Sequence, residues 1–187
     1  SSDRLADSHE EPPSFHSLMT RSQHQVLRTC TRLRRAFLAG DKALLRKLSN
    51  GPLMECRSLL RPAEVAMILN QWAQAQVNDL QLWDSMSVEL PDLFVDADAR
   101  TLAVTVNAYA RAMLRHDPVF ATVTSCIRSL LHSRAVEARV VAMLFNAYSK
   151  VRVRDRDLFQ DLGDYAATNA GDMNHLDLVN ILNGFAR

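Results

Sequence analysis

Residues 145–150 read FNAYSK, and residues 182–187 read LNGFAR. Both hexapeptides hold an asparagine, an aromatic two positions on, a small residue next and a cation last. Aligned on the asparagine, LNQWAQ at 69–74 and VNAYAR at 106–111 are further copies. The asparagines are Asn70, Asn107, Asn146 and Asn183, spaced by 37, 39 and 37 residues. The aromatic column is Trp72, Tyr109, Tyr148 and Phe185, and the small column is Ala73, Ala110, Ser149 and Ala186. Five residues before each asparagine stands an aliphatic, Val65, Leu102, Val141 or Leu178. Thirteen residues after the first three stands a second aromatic, Trp83, Phe120 or Phe159. Aromatics are only 6% of the chain, so two aligned aromatic columns mark a repeat. Self-similarity at this period is the signature of a solenoid.

Each unit reads as two helices. The first carries the asparagine, as in VVAMLFNAYSK, which is apolar around much of its circumference and suits a helix packed between neighbours. The second follows a short polar link and carries the second aromatic. Asp79, Asp117 and Asp155 stand near the starts of these second helices, where carboxylates cap free amides. Few glycines and prolines, five and six, agree with an all-α chain. Upstream, Asp41 aligns with Asp79 and Leu45 with Trp83, which puts Arg32 at the asparagine position and Arg34 at the aromatic position of a degenerate first unit. Terminal repeats are often atypical. The expected organisation is a disordered or extended tail over 1–20, a basic first repeat over 21–54 and a helical array over 55–187. The last asparagine helix has no paired second helix within these 187 residues.

Charge is unevenly distributed in a chain of net charge +1. Residues 1–20 carry −3, residues 21–47 carry +7 and residues 48–187 carry −3. A concentrated basic segment in a near-neutral chain points to an anionic partner at that end or to a solvated helix face. The three cysteines, Cys30, Cys56 and Cys126, form no CxxC pair and read as buried, reduced thiols. No apolar run approaches the roughly 18 residues of a membrane span. The chain begins at Ser1, as a processed or trimmed chain would. No phosphate-binding loop, nucleophile elbow, zinc-protease or dinucleotide motif is present, so enzyme chemistry, a cofactor, a metal and a small-molecule substrate are not expected. Asp92, Asp96 and Asp98 cluster near a helix start, but the stretch lacks the glycine and glutamate of a calcium loop, which leaves helix capping.

A hairpin repeat of 37–39 residues with an N-x-[aromatic]-[Ala/Ser]-[Lys/Arg] helix end resembles the organellar helical repeats. These are the heptatricopeptide and octotricopeptide repeats and the FAST-kinase-like and RAP-associated arrays. The resemblance covers about residues 55–187; no RAP domain is recognisable. It implies action in mitochondria or chloroplasts, binding of organellar RNA, and in some cases a scaffold role in mitochondrial ribosomes.

The asparagine column has two readings. A buried amide must be bonded, so each asparagine is expected to bond the adjacent unit; the rival is a row that reads bases or touches phosphates. The last position of the phrase, Gln74, Arg111, Lys150 and Arg187, forms a row spaced about 10 Å per repeat. Such cations track a phosphate backbone or complement helix C-termini. The link holding Lys150, Arg152, Arg154 and Arg156 against Asp155 is too basic for packing alone and reads as a phosphate contact. The second basic candidate set is Arg28, Arg32, Arg34, Arg35, Arg46 and Lys47. The expected protein is a non-enzymatic α-solenoid that contacts RNA, plausibly ribosomal RNA, and neighbouring proteins inside a mitochondrial ribonucleoprotein. The alternative is a protein-only scaffold or accessory subunit of a mitochondrial complex.

Overall fold

The computed structural model of the chain describes residues 19–133 and 136–186. The tail assigned to 1–20 lies outside the described residues except for its last two positions, and Arg187 lies outside them too. The described chain is all-helical, with no strand. Its elements are α1 (Arg21–Leu38), α2 (Lys42–Leu48), α3 (Met54–Cys56), α4 (Pro62–Ala75), α5 (Leu80–Ser87), α6 (Leu90–Leu93), α7 (Ala99–Arg111), α8 (Asp117–His132), α9 (Ala138–Lys150), α10 (Arg156–Thr168) and α11 (His175–Phe185). The asparagine helices are α4, α7, α9 and α11. They pack in that order, α4 on α7, α7 on α9 and α9 on α11, and α1 packs on α4.

Local chemistry sets where these helices begin. Thr20 and Gln23 form a reciprocal capping box at α1. Pro62 occupies the first turn of α4, and Glu64 reaches back to the Arg61 amide at 2.8 Å. Asp98 Oδ1 accepts from the Thr101 amide at 2.7 Å, so that aspartate is a helix cap. Among the second helices, Asp41 and Asp155 cap through their side chains, and Asp79 stands at the cap position of α5 without a side-chain bond. The cap of α8 is His116, whose Nδ1 accepts from the Val119 amide, whereas Asp117 sits in the first turn and pairs with Arg115.

The ends of the asparagine helices repeat as regularly as their sequence. Gln76, Met113 and Arg152, each six residues after its asparagine, adopt left-handed backbone angles with φ of 58°, 57° and 57°. The next amide then turns back onto the carbonyl of the aromatic residue: Val77 to Trp72 at 2.9 Å, Leu114 to Tyr109 at 2.9 Å and Val153 to Tyr148 at 3.0 Å. Helix α1 closes the same way through Gly40 (φ 69°), with the Asp41 amide on the Ala36 carbonyl at 3.0 Å. This corrects the register of the first unit. The aromatic position is Ala36, which is buried, and the asparagine position is Arg34, in place of the expected Arg34 and Arg32. Alignment on Asp41 and Asp79 misled because the link after Gly40 is two residues shorter than the link after Gln76.

The core runs the length of this row. Trp72, Tyr109 and Tyr148 are fully buried, and their polar ends are satisfied by the second helix of the preceding unit. Trp72 Nε1 donates to Ser49 Oγ at 2.8 Å. The Tyr109 hydroxyl lies 2.5 Å from Ser87 Oγ, and the Tyr148 hydroxyl lies 3.0 Å from Thr124 Oγ1 and donates to the Phe120 carbonyl at 3.0 Å. Ser49, Ser87 and Thr124 are thus a hydroxyl column in register with the aromatics. In the last unit both members change together. Phe185 has no hydroxyl and Gly163 stands in the hydroxyl column, where an added Cβ would lie 3.2 Å from the Phe185 ring. Second-helix aromatics fill the gaps edge-on, with Trp83 5.7 Å from Trp72 and 5.0 Å from Tyr109 between ring centroids.

Close approach of neighbouring first helices requires the residue after each asparagine to be small in the later units: Ala108, Ala147 and Gly184. A Cβ on Gly184 would lie 3.0 Å from Phe145 Cβ and 3.2 Å from Ser149 Oγ, which itself donates to the Gly184 carbonyl at 2.9 Å. Gly184→Ala should therefore cost about 1–3 kcal/mol, read as a lower urea midpoint with an unchanged slope. Burial pushes the Tyr109 phenol up to about 12, against an ordinary 10. Its contribution is fully present below about pH 10 and is lost as pH rises through 12. Tyr109→Phe should lose about 1 kcal/mol at neutral pH and flatten the alkaline fall in stability between those values.

Candidate nucleic-acid interface

The asparagine helices run side by side with equivalent ends together. Ser149 bonds Gly184 near the ends of α9 and α11, and the Arg115 guanidinium donates to the Arg152 carbonyl at 3.3 Å between the loops after α7 and α9. The loops after these helices therefore form one edge. Its charge grows along the row, from Gln74 and Gln76 to Arg111 and Arg115 and then to Lys150, Arg152, Arg154 and Arg156. Lys150 is half-buried and the other five cations are exposed.

Pairing sorts the basic residues into two kinds. Arg57, Arg61, Arg115 and Arg128 are held by carboxylates: Arg57 by Glu89, Arg61 by Glu64, Arg115 by Asp117 and Arg128 by Asp161, at 2.7–3.3 Å. None of Arg28, Arg32, Arg34, Arg35, Arg46, Lys47, Arg111, Lys150, Arg152, Arg154 and Arg156 is paired with a carboxylate among the described residues. These cations keep their charge available to a partner.

The eleven residues do not form one surface. Arg28, Arg32 and Arg35 join Arg21 on one face of α1 and, with Pro52, line a groove of about 630 Å³. Arg34 is exposed but does not line that groove, and Arg46 and Lys47 are exposed on α2. The loop after α9 lies further along the row, with α4 and α7 packed between. There Arg152, Arg154 and Arg156 line a cleft of about 330 Å³ together with Phe159 and Phe185. Arg115 was not a sequence candidate. Its signal was present: Arg115 and Arg154 each stand eight residues after an asparagine of the repeat.

The asparagine column differs from expectation. Asn70, Asn107 and Asn146 are half-buried and Asn183 is exposed, and no side-chain amide of the four bonds another described residue. At these positions the amide reaches water, so burial does not force a bond onto the adjacent unit. The bonds between units run through the aromatic and hydroxyl columns instead. Asn107 and Asn146 stand one turn before Arg111 and Lys150 on the same helix face.

Little here suits bond-making chemistry. Burial pushes the Cys30 thiol up to about 11 and raises the Cys56 and Cys126 thiols, which keeps all three protonated at neutral pH. Among the described residues no group of His, Cys, Asp and Glu is placed to hold a metal ion.

A family profile described as RNA-editing substrate-binding complex 6 protein matches residues 30–187. No curated protein matches the chain. The family agrees with the coarse implication of the organellar-repeat resemblance, a helical protein associated with RNA, and is none of the repeat families named above.

The pairing pattern has a stability consequence. Arg154→Glu and Arg156→Glu should leave the urea midpoint unchanged within about 0.5 kcal/mol, since neither guanidinium is tied to a folded partner. Arg128→Ala should lose about 0.5–1 kcal/mol, because it removes the ion pair that joins α8 to α10 at a partly exposed site.

Proposed function

This chain belongs to the RNA-editing substrate-binding complex 6 protein family, and from that membership we propose that it is a non-enzymatic RNA-binding scaffold of an RNA-editing assembly. The single observation that carries the reading is the basic loop edge whose cations, Arg111, Lys150, Arg152, Arg154 and Arg156, have no carboxylate partner among the described residues. Cations left free at neighbouring loops are suited to successive phosphates. Asn107 and Asn146, accessible one turn earlier, supply neutral donors and acceptors to the same row. Residues Arg28 to Lys47 form a second contact at the opposite end, for RNA or for an acidic neighbour in the assembly.

The architecture proposed is an α-solenoid of helical hairpins, supported by the ordered packing of α1, α4, α7, α9 and α11. A location in mitochondria accords with the organellar repeats that the chain resembles. The matched family favours an RNA-editing complex over the mitochondrial ribosome as the assembly. No helix of the described residues is long and apolar enough to cross a membrane.

Ultraviolet crosslinking of the assembled particle tests this reading. Crosslinks to RNA are expected at residues 150–156 and within 28–47. Reversing Arg152, Arg154 and Arg156 to Glu should weaken RNA binding and reduce its salt dependence, by about 0.7 in the log–log slope for each phosphate no longer neutralised. Protein contacts at both segments with no RNA crosslink would leave the chain a protein-only scaffold.

A further inference from the structure

The cleft after α9 is more than a patch of charge. Its floor is aromatic, and its rim carries three arginines. Phe145 is fully buried, Phe159 is half-buried and Phe185 is 57% exposed, so the rings step from core to surface. Phe185 is anchored on Phe145, 4.7 Å between centroids, and stands off from Phe159 at 6.4 Å. In the preceding unit Tyr148 and Phe120 are in full contact at 5.0 Å, and no comparable exposed ring is left. Replacement of the hydroxyl pair by Phe185 and Gly163 removes the bond that holds Tyr109 and Tyr148 inward.

Arg152, Arg154 and Arg156 line this cleft, and its one lining carboxylate, Asp155, is committed to the Leu158 amide at 2.9 Å as the cap of α10. The lining hydroxyl of Ser149 is spent on the Gly184 carbonyl. The cleft thus offers an aromatic face and cations but few free groups to read a base edge. Its volume of about 330 Å³ lies within the range of small-ligand clefts, about 300–1,000 Å³.

We infer that this cleft binds one nucleotide of single-stranded RNA, with the base stacked on Phe185 and the flanking phosphates on Arg152, Arg154 and Arg156, without sequence preference. A duplex cannot occupy it, because its bases are already stacked and their faces closed. The inference rests on the RNA-binding reading above and names the strand form and the contact.

The test compares a labelled single-stranded 16-nucleotide RNA with the same strand in a duplex, on the full chain and three variants. The wild type should prefer the single strand. Phe185→Leu, which keeps an apolar side chain on Phe145, should lose about 5- to 100-fold in single-strand affinity, the range for one aromatic stack. Phe185→Trp should retain affinity, and its added exposed indole should be quenched by RNA. Arg154→Glu should weaken both forms. Equal affinity of Phe185→Leu and wild type, or an unquenched Phe185→Trp, overturns the stacking site while leaving salt-dependent phosphate binding intact. Absence of RNA binding by the wild type, with Phe185→Leu altering only association with a protein, overturns both readings and makes the cleft a protein contact.

Discussion

The fold depends on a ring from one unit ending on a hydroxyl of the unit before it. Trp72 meets Ser49, Tyr109 meets Ser87, and Tyr148 meets Thr124. Each ring removes a large apolar area from water, and each polar tip would be costly if left unmatched. The hydroxyl therefore fixes the depth and angle at which a new helix enters the row. The small residues Ala108, Ala147 and Gly184 then set how closely that helix approaches its predecessor.

That constraint also places the charge. Because first helices stack with equivalent ends together, the loops that follow them line up on one edge. The loops turn through left-handed residues at the same offset each time, Gln76, Met113 and Arg152, so side chains beyond them emerge at equivalent places. A cation at one such position is a surface residue; cations at successive positions form a track. The track strengthens toward α9 and ends at the cleft beside Phe185. Where the hydroxyl pair is replaced, the aromatic that elsewhere closes the core reaches the surface. Structural and contacting roles thus come from one column, divided by whether the ring's partner is present.

Much of the helical array was legible in the sequence. The asparagine phrase marks the four first helices, and the second aromatic marks three second helices, because packing repeats only if its residues do. The hydroxyl column was equally periodic, but Ser and Thr are common and carry no message until a ring is seen to end on them. The first unit was misread by two residues because a shorter link leaves its cap aligned and its helix displaced. Asparagine, the letter most visible in the repeat, makes none of the bonds between units. A periodic polar residue signals a constant environment without saying whether that environment is the core or the edge.

For the candidate site the division is sharper. Local pattern and composition were enough for the all-helical class, the period, the core rings and the identity of the basic segments. Which arginines are spent on carboxylates and which are free is a matter of tertiary structure, because ion pairs such as Arg128 with Asp161 join residues 33 apart. Folding also separates the basic candidates into an α1 surface and a loop edge at opposite ends of the row, and draws Arg115 to the loop that holds Arg152. Charge is a property of a residue, but its availability depends on what folding brings within a few ångströms of it.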